Sequence, residues 1–166
     1  LIITQNKKLT GIYDKLVQSG FIGEQTKDIP YHFTFGSFDL GLETQVLERT
    51  QVVCQLTKPF DIALNYNGLF GLKVLFLAPS INMELLKLYS DLVPSGTVNG
   101  SHNWVAHATI LMDNPDHIQA AIPIVSQAFS PFVAKIESIG VYEFFPKKFI
   151  AEYNITRNTK ISRNGR

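Results

Sequence analysis

The chain has little of what staples small secreted proteins or metal fingers together: Cys54 is its one cysteine in 166 residues. A single thiol makes no internal disulfide framework and no Cys-based metal site, and a cytoplasmic compartment is the default expectation. Excess charge of one sign is also missing. Fifteen Lys and Arg against fourteen Asp and Glu leave a net charge of +1, which excludes gripping long nucleic acid by neutralising many phosphates and leaves a small or short anionic ligand open. No apolar run reaches the ~20 residues of a membrane-spanning helix, and no charged-then-apolar leader opens the sequence, so no membrane partner is expected. The sequence starts at Leu1 without Met, and its brief first strand points to residues missing ahead of it.

What is abundant is apolar and aromatic. Hydrophobic residues make up 45% of the chain, with twelve Phe and six Tyr, the composition of an ordered, sheet-rich globular protein. Residues 1–156 read as a single domain of two joined lobes and as a monomer; a basic, polar tail, 157–166 with Arg157, Lys160, Arg163 and Arg166, reads as a solvated end.

Apolar positions Leu9, Ile12, Tyr13, Leu16 and Val17 fall at helical spacing over 8–19, with Gly20 as the stop. Asp39 is the expected N-cap of a helix over 42–56, ended by Pro59. Strands over 60–70 and 73–78 pair about Gly71. Ser80 is the expected cap of a helix carrying Leu85, Leu88 and Leu92. Asn114-Pro115 opens another, reaching about Phe129. Two last strands, 132–145 and 149–155, turn at Pro146-Lys147-Lys148.

Between these elements lie Tyr31-His32-Phe33-Thr34-Phe35 and Ala106-His107-Ala108-Thr109-Ile110. Side chains alternate between faces along a strand, so each stretch sets its His and Thr on one face and apolar residues on the other. The two stretches also hold equivalent places in an internal repeat. Leu9, Tyr13, Leu16 and Gly20 match Leu85, Tyr89, Leu92 and Gly96 at a spacing of 76 residues, His32 and Thr34 match His107 and Thr109 at 75, and Pro59, Phe60 and Gly68 match Pro131, Phe132 and Gly140 at 72. A slowly shrinking spacing is what duplication followed by small loop deletions leaves.

The expected fold is therefore α+β and bilobal. Each unit, roughly 1–72 and 73–156, runs strand-helix-strand-helix-strand-strand. Two antiparallel sheets face a central cleft, with helices outside and a pseudo-two-fold axis between the lobes.

His titrates near neutrality and takes or gives a proton, and Thr hydroxyls donate hydrogen bonds to charge building on an oxygen. Two such stretches would present two imidazoles and two hydroxyls to one cleft. A metal centre is the competing use of paired His, but neither stretch places Asp, Glu or Cys beside its His. His102, in a polar loop, and His117, in a first helical turn, have no Thr partner. Trp104, Tyr142 and Phe144 are candidates for stacking a base, although strand aromatics more often fill cores.

The paired motifs, His32-Phe33-Thr34-Phe35 and His107-Ala108-Thr109-Ile110, on equivalent strands of a duplicated α+β chain resemble the two-histidine phosphoesterases, which include bacterial RNA 2',3'-cyclic phosphodiesterases, also called 2'-5' RNA ligases. The resemblance spans nearly the whole chain. It implies metal-independent cleavage or transfer at a phosphodiester with no cofactor, His32 and His107 as acid and base, Thr34 and Thr109 holding the phosphate, and a nucleotide, cyclic phosphate or short RNA end as substrate. The chain departs from the family in having Tyr31 between Pro30 and the first motif, and no basic residue after the second. The alternative is a non-catalytic module that binds nucleotides or RNA ends in the same cleft.

Overall fold

Among the described residues four α-helices form where apolar residues recur at helical spacing, and six strands make one antiparallel sheet. The computed structural model describes residues 2–3, 7–22, 31–94, 104–144 and 147–156; the basic tail, His102 and Pro146 lie outside them.

Helix α1 (Lys7–Gln18) buries Leu9, Ile12 and Leu16 on one stripe. It ends as its sequence predicts. Gly20 takes φ 88°, Gly20 N–H donates to Val17 O and Phe21 N–H donates to Leu16 O, a left-handed glycine closing the last carbonyls. Helix α2 (Glu43–Leu56) follows a 3-10 turn at Leu40–Leu42, and the expected Asp39 cap makes no side-chain capping bond. Helix α3 (Met83–Leu92) is capped by Asn82, whose Oδ1 accepts from Leu85 N–H at 2.9 Å. The expected cap, Ser80, is engaged instead in the sheet: its N–H donates to Ala63 O and its hydroxyl accepts from Asn65 Nδ2. Helix α4 (Pro115–Ala128) opens on Asn114 and Pro115, as expected.

The strands are β1 (Ile2–Ile3), β2 (Phe60–Phe70), β3 (Val74–Pro79), β4 (Ala108–Met112), β5 (Phe132–Glu143) and β6 (Lys148–Asn154). They form one sheet, not two: β1-β5-β2-β3-β4 lie in line and β6 pairs with β5. The expected pair of facing sheets fails because the two long strands pair with each other. Phe60 faces Ile136, Ile62 faces Ala134 and Leu64 faces Phe132, so the two halves are joined edge to edge by backbone hydrogen bonds within one sheet. The expected six-element unit also changes. The described elements run strand, helix, motif, helix, strand in each copy, with β3 opening the second copy and β6 added after it.

The central register is mirrored. Phe60 and Phe132 are matched positions of the repeat, and each pairs with the residue four places along the other copy's strand, about the Ile62–Ala134 pair. Such pairing brings the same surface of each copy against the other. Helix α1 packs with α4 and α2 with α3; α4 also lies against β3, and α2 against β5 and β6. Along β5, Phe132, Ala134 and Ile136 are buried while Val133 and Lys135 are exposed, so over this stretch one face is covered and the other open. No helix among the described residues is long and apolar enough to cross a membrane.

Candidate functional site

The two His-x-Thr segments keep the alternation read from the sequence. Phe33 and Phe35 are buried, with His32 half-buried and Thr34 exposed; Ala106, Ala108 and Ile110 are buried, with His107 and Thr109 half-buried. Neither segment is a full strand. The first is bridged to β4 through Phe33 and Ala108, and the second enters β4 only at Ala108. That bridge decides the geometry. Ala108 pairs with Leu77 of β3 on one side and with Phe33 on the other, so the first segment lies alongside β4 as its antiparallel neighbour. On both segments the buried residues alternate with His32 and Thr34 or with His107 and Thr109, so these four lie off the buried face. The imidazoles therefore belong to neighbouring segments of one sheet, not to opposite banks of a cleft.

Trp104 fastens the segments together. Its Nε1–H donates to Thr34 O at 2.9 Å, and its ring stacks on Tyr89 at 4.2 Å and on Phe35 at 5.5 Å. Of the three candidate base-stacking rings, this one is engaged in packing, the commoner use of a strand aromatic.

His107 is held on three sides. Its Nδ1 lies 2.6 Å from Val105 O, a contact that requires the proton on Nδ1 because a carbonyl only accepts. Nε2 is then the nitrogen that exchanges protons. Phe70 meets the imidazole edge-on at 4.7 Å between centroids, and Phe76 lies at 5.3 Å. Phe76 in turn covers Gly68, its partner in the β2–β3 ladder. A Cβ on Gly68 would fall 2.7 Å from two atoms of that ring.

A cavity of about 570 Å³ opens beside the first motif. His32 and Thr34 line it, together with residues 35–40, Glu43, Val46 and Thr50 before and along α2, Leu92 and Val93 after α3, residues 139–144 and Ile150. Tyr142 and Phe144 reach it; His107, Thr109 and Trp104 do not. Its charged lining residues are Asp39, Glu43 and Glu143, with no Lys or Arg among the described ones. Glu143 lies 4.0 Å from Lys148. Burial is the main reason the Tyr142 hydroxyl is held above its ordinary pKa, with Glu152 adding to it.

The sequence matches no model of a known protein family and no curated protein. Function must therefore be argued from these residues.

Other candidate groups are accounted for locally. His117 Nδ1 lies 2.9 Å from Asp113 Oδ2. That bond, with the Asn114 N–H, holds the Asp113 carboxyl below the usual range; the pair belongs to the start of α4. Tyr31, expected on the apolar face, packs edge-on to Tyr13, and its hydroxyl is buried without a hydrogen-bond partner among the described residues. Burial raises its pKa, with Tyr13 and Asp14 adding to the shift. Among the described residues no three His, Cys, Asp or Glu are gathered as a metal site. Sequence reasoning missed Phe70 and Phe76. The available signal was Gly68, matched to Gly140 in the repeat, because a glycine inside a strand marks close approach by another group.

Proposed function

We propose that this chain is a cytoplasmic phosphodiesterase that cleaves a cyclic phosphate or the end of an RNA by paired-histidine acid–base chemistry, without metal, as its resemblance to the two-histidine phosphoesterases implies. The observation that carries the reading is the pairing of Phe33 with Ala108. These are matched positions of the repeat, and their pairing sets the two motifs side by side, which supports a site shared by both. One neutral imidazole takes a proton from the attacking water; the other, protonated, gives one to the leaving sugar oxygen. Each such transfer is typically worth about 10² to 10⁴ in rate. Thr34 and Thr109 donate hydrogen bonds to the non-bridging oxygens where negative charge accumulates. With the Nδ1 proton donated to Val105 O, His107 would work through Nε2.

A second reading is favoured by one observation: the cavity takes in His32 and Thr34 but neither His107 nor Thr109. On that reading the chain binds a nucleotide or RNA end at the first motif and hydrolyses nothing.

The deciding experiment is turnover of nucleoside 2',3'-cyclic phosphates and 2'-5' oligonucleotides by the wild type, His32→Ala and His107→Ala, with and without chelator. A loss of at least about 100-fold in each variant, folding intact and chelator without effect, is the expected result. Binding without turnover in the wild type would establish the second reading instead.

A further inference from the structure

The two matched glycines of the repeat have different surroundings. Gly140 lines the cavity beside His32, and its ladder partner is Glu152, an exposed residue whose Oε1 accepts from Ser138 Oγ at 2.6 Å. Gly68 is paired instead with Phe76, whose ring lies over the glycine where a Cβ would be. The strand position that lines the cavity on the His32 side is covered by an aromatic ring on the His107 side. That ring continues to His107. Phe76 and Phe70 are 4.4 Å apart, and both contact the imidazole.

We propose that Gly68 and Phe76 are positioning residues for His107: the missing side chain at Gly68 lets the Phe76 ring lie against β2, where with Phe70 it walls the imidazole and keeps Nδ1 on Val105 O and Nε2 presented to the phosphate. This rests on the catalytic reading of His107 for its consequence in turnover, but the geometry it describes does not. A ring fixed by one hydrogen bond can still rotate about it. Two aromatic walls remove that freedom, and for a proton-transfer group orientation matters because a displacement of about 1 Å can cost about 10²-fold in rate. Phe76 is largely enclosed, 7% exposed, so it cannot make room for a new methyl group without moving against its neighbours.

The test is Gly68→Ala, with Phe76→Leu as the compensating change. Nitrogen-15 NMR of the histidine rings reads the tautomer and titration midpoint of His107, assigned by its loss in His107→Gln. His117, at the start of α4, serves as the internal control. In Gly68→Ala the Nδ1–H signature of His107 should weaken and its midpoint should move, while His117 keeps both. If the chain turns over a cyclic phosphate, kcat should fall about tenfold or more with little change in KM, and the His107 limb of the pH profile should move. The double variant Gly68→Ala/Phe76→Leu should recover part of both readouts, because the shorter side chain relieves the contact; such coupling between touching residues is what a double-mutant cycle isolates.

A folded Gly68→Ala protein whose His107 tautomer and midpoint match the wild type overturns the proposal. Should the wild type prove inert towards every phosphodiester, the catalytic reading falls alone, and the NMR comparison still decides whether the glycine and the ring position the imidazole.

Discussion

The indole Nε1–H of Trp104 donates to the carbonyl oxygen of Thr34 at 2.9 Å, so a residue three places before the second motif's His is tied to the backbone of the first motif. Trp104→Phe keeps the stack on Tyr89 and Phe35 but removes the donor. The expected cost is about 0.5–1.5 kcal/mol, read by urea denaturation followed by circular dichroism because the variant has no other Trp. No loss of stability would mean that the indole hydrogen bond adds nothing to the ring stack and the Phe33–Ala108 bridge.

At the centre of the sheet Ile62, 1% exposed, faces Ala134 on the mirrored strand. Ile62→Ala should destabilise by about 2–5 kcal/mol, the usual range for emptying a buried aliphatic site. Its unfolding should remain one cooperative step by fluorescence and circular dichroism alike. Two separated transitions would describe halves that unfold independently despite the shared sheet.

Burial pushes the Cys54 thiol up to about 12, and its side chain is 1% exposed. Since the thiolate is the reactive form, burial that keeps the thiol protonated also keeps it unreactive at pH 8 in the folded chain. An aromatic disulfide reagent at that pH should label Cys54 only as fast as the protein opens, and at once in urea. Prompt labelling of the folded protein would show that the C-terminal turn of α2 opens locally.

Much of the fold was legible because period and punctuation agree. The Leu9, Ile12 and Leu16 stripe, the glycine stop at Gly20 and the Asn114-Pro115 start all formed as read. The caps were harder. Asp39 and Ser80 are both good capping types, but Ser80 is bonded to Ala63 and Asn65 across the sheet, a tertiary demand that spacing does not reveal. The number of sheets was likewise hidden. Phe60–Leu64 and Phe132–Ile136 read as strands equally well whether each serves its own lobe or they pair with one another, and only the long-range register distinguishes these. At the site, the faces of His32, Thr34, His107 and Thr109 followed from alternation. The walls around His107 did not, because Phe70 and Phe76 come from a distant hairpin.

Thr34 and Thr109 are matched in the repeat but differ in setting, and the difference separates the two functional readings. Thr34 is exposed and lines the cavity, whereas Thr109 is half-buried in β4 and lies outside it. If both hydroxyls stabilise charge on one phosphate, Thr34→Val and Thr109→Val should each lower turnover of a cyclic phosphate by about 10²- to 10³-fold, the scale set by removing one donor to a developing oxyanion. Calorimetric affinity for a nucleoside monophosphate should change much less, because the donors act most strongly on the transition state. If the chain only binds, affinity should fall in Thr34→Val and stay at the wild-type value in Thr109→Val. The replacement exchanges a hydroxyl for a methyl group at nearly constant volume, so it tests the hydrogen bond at each position with little change in packing. Equal loss of turnover at both positions places a phosphate between the motifs; loss of affinity at Thr34 alone confines the ligand to the cavity beside His32.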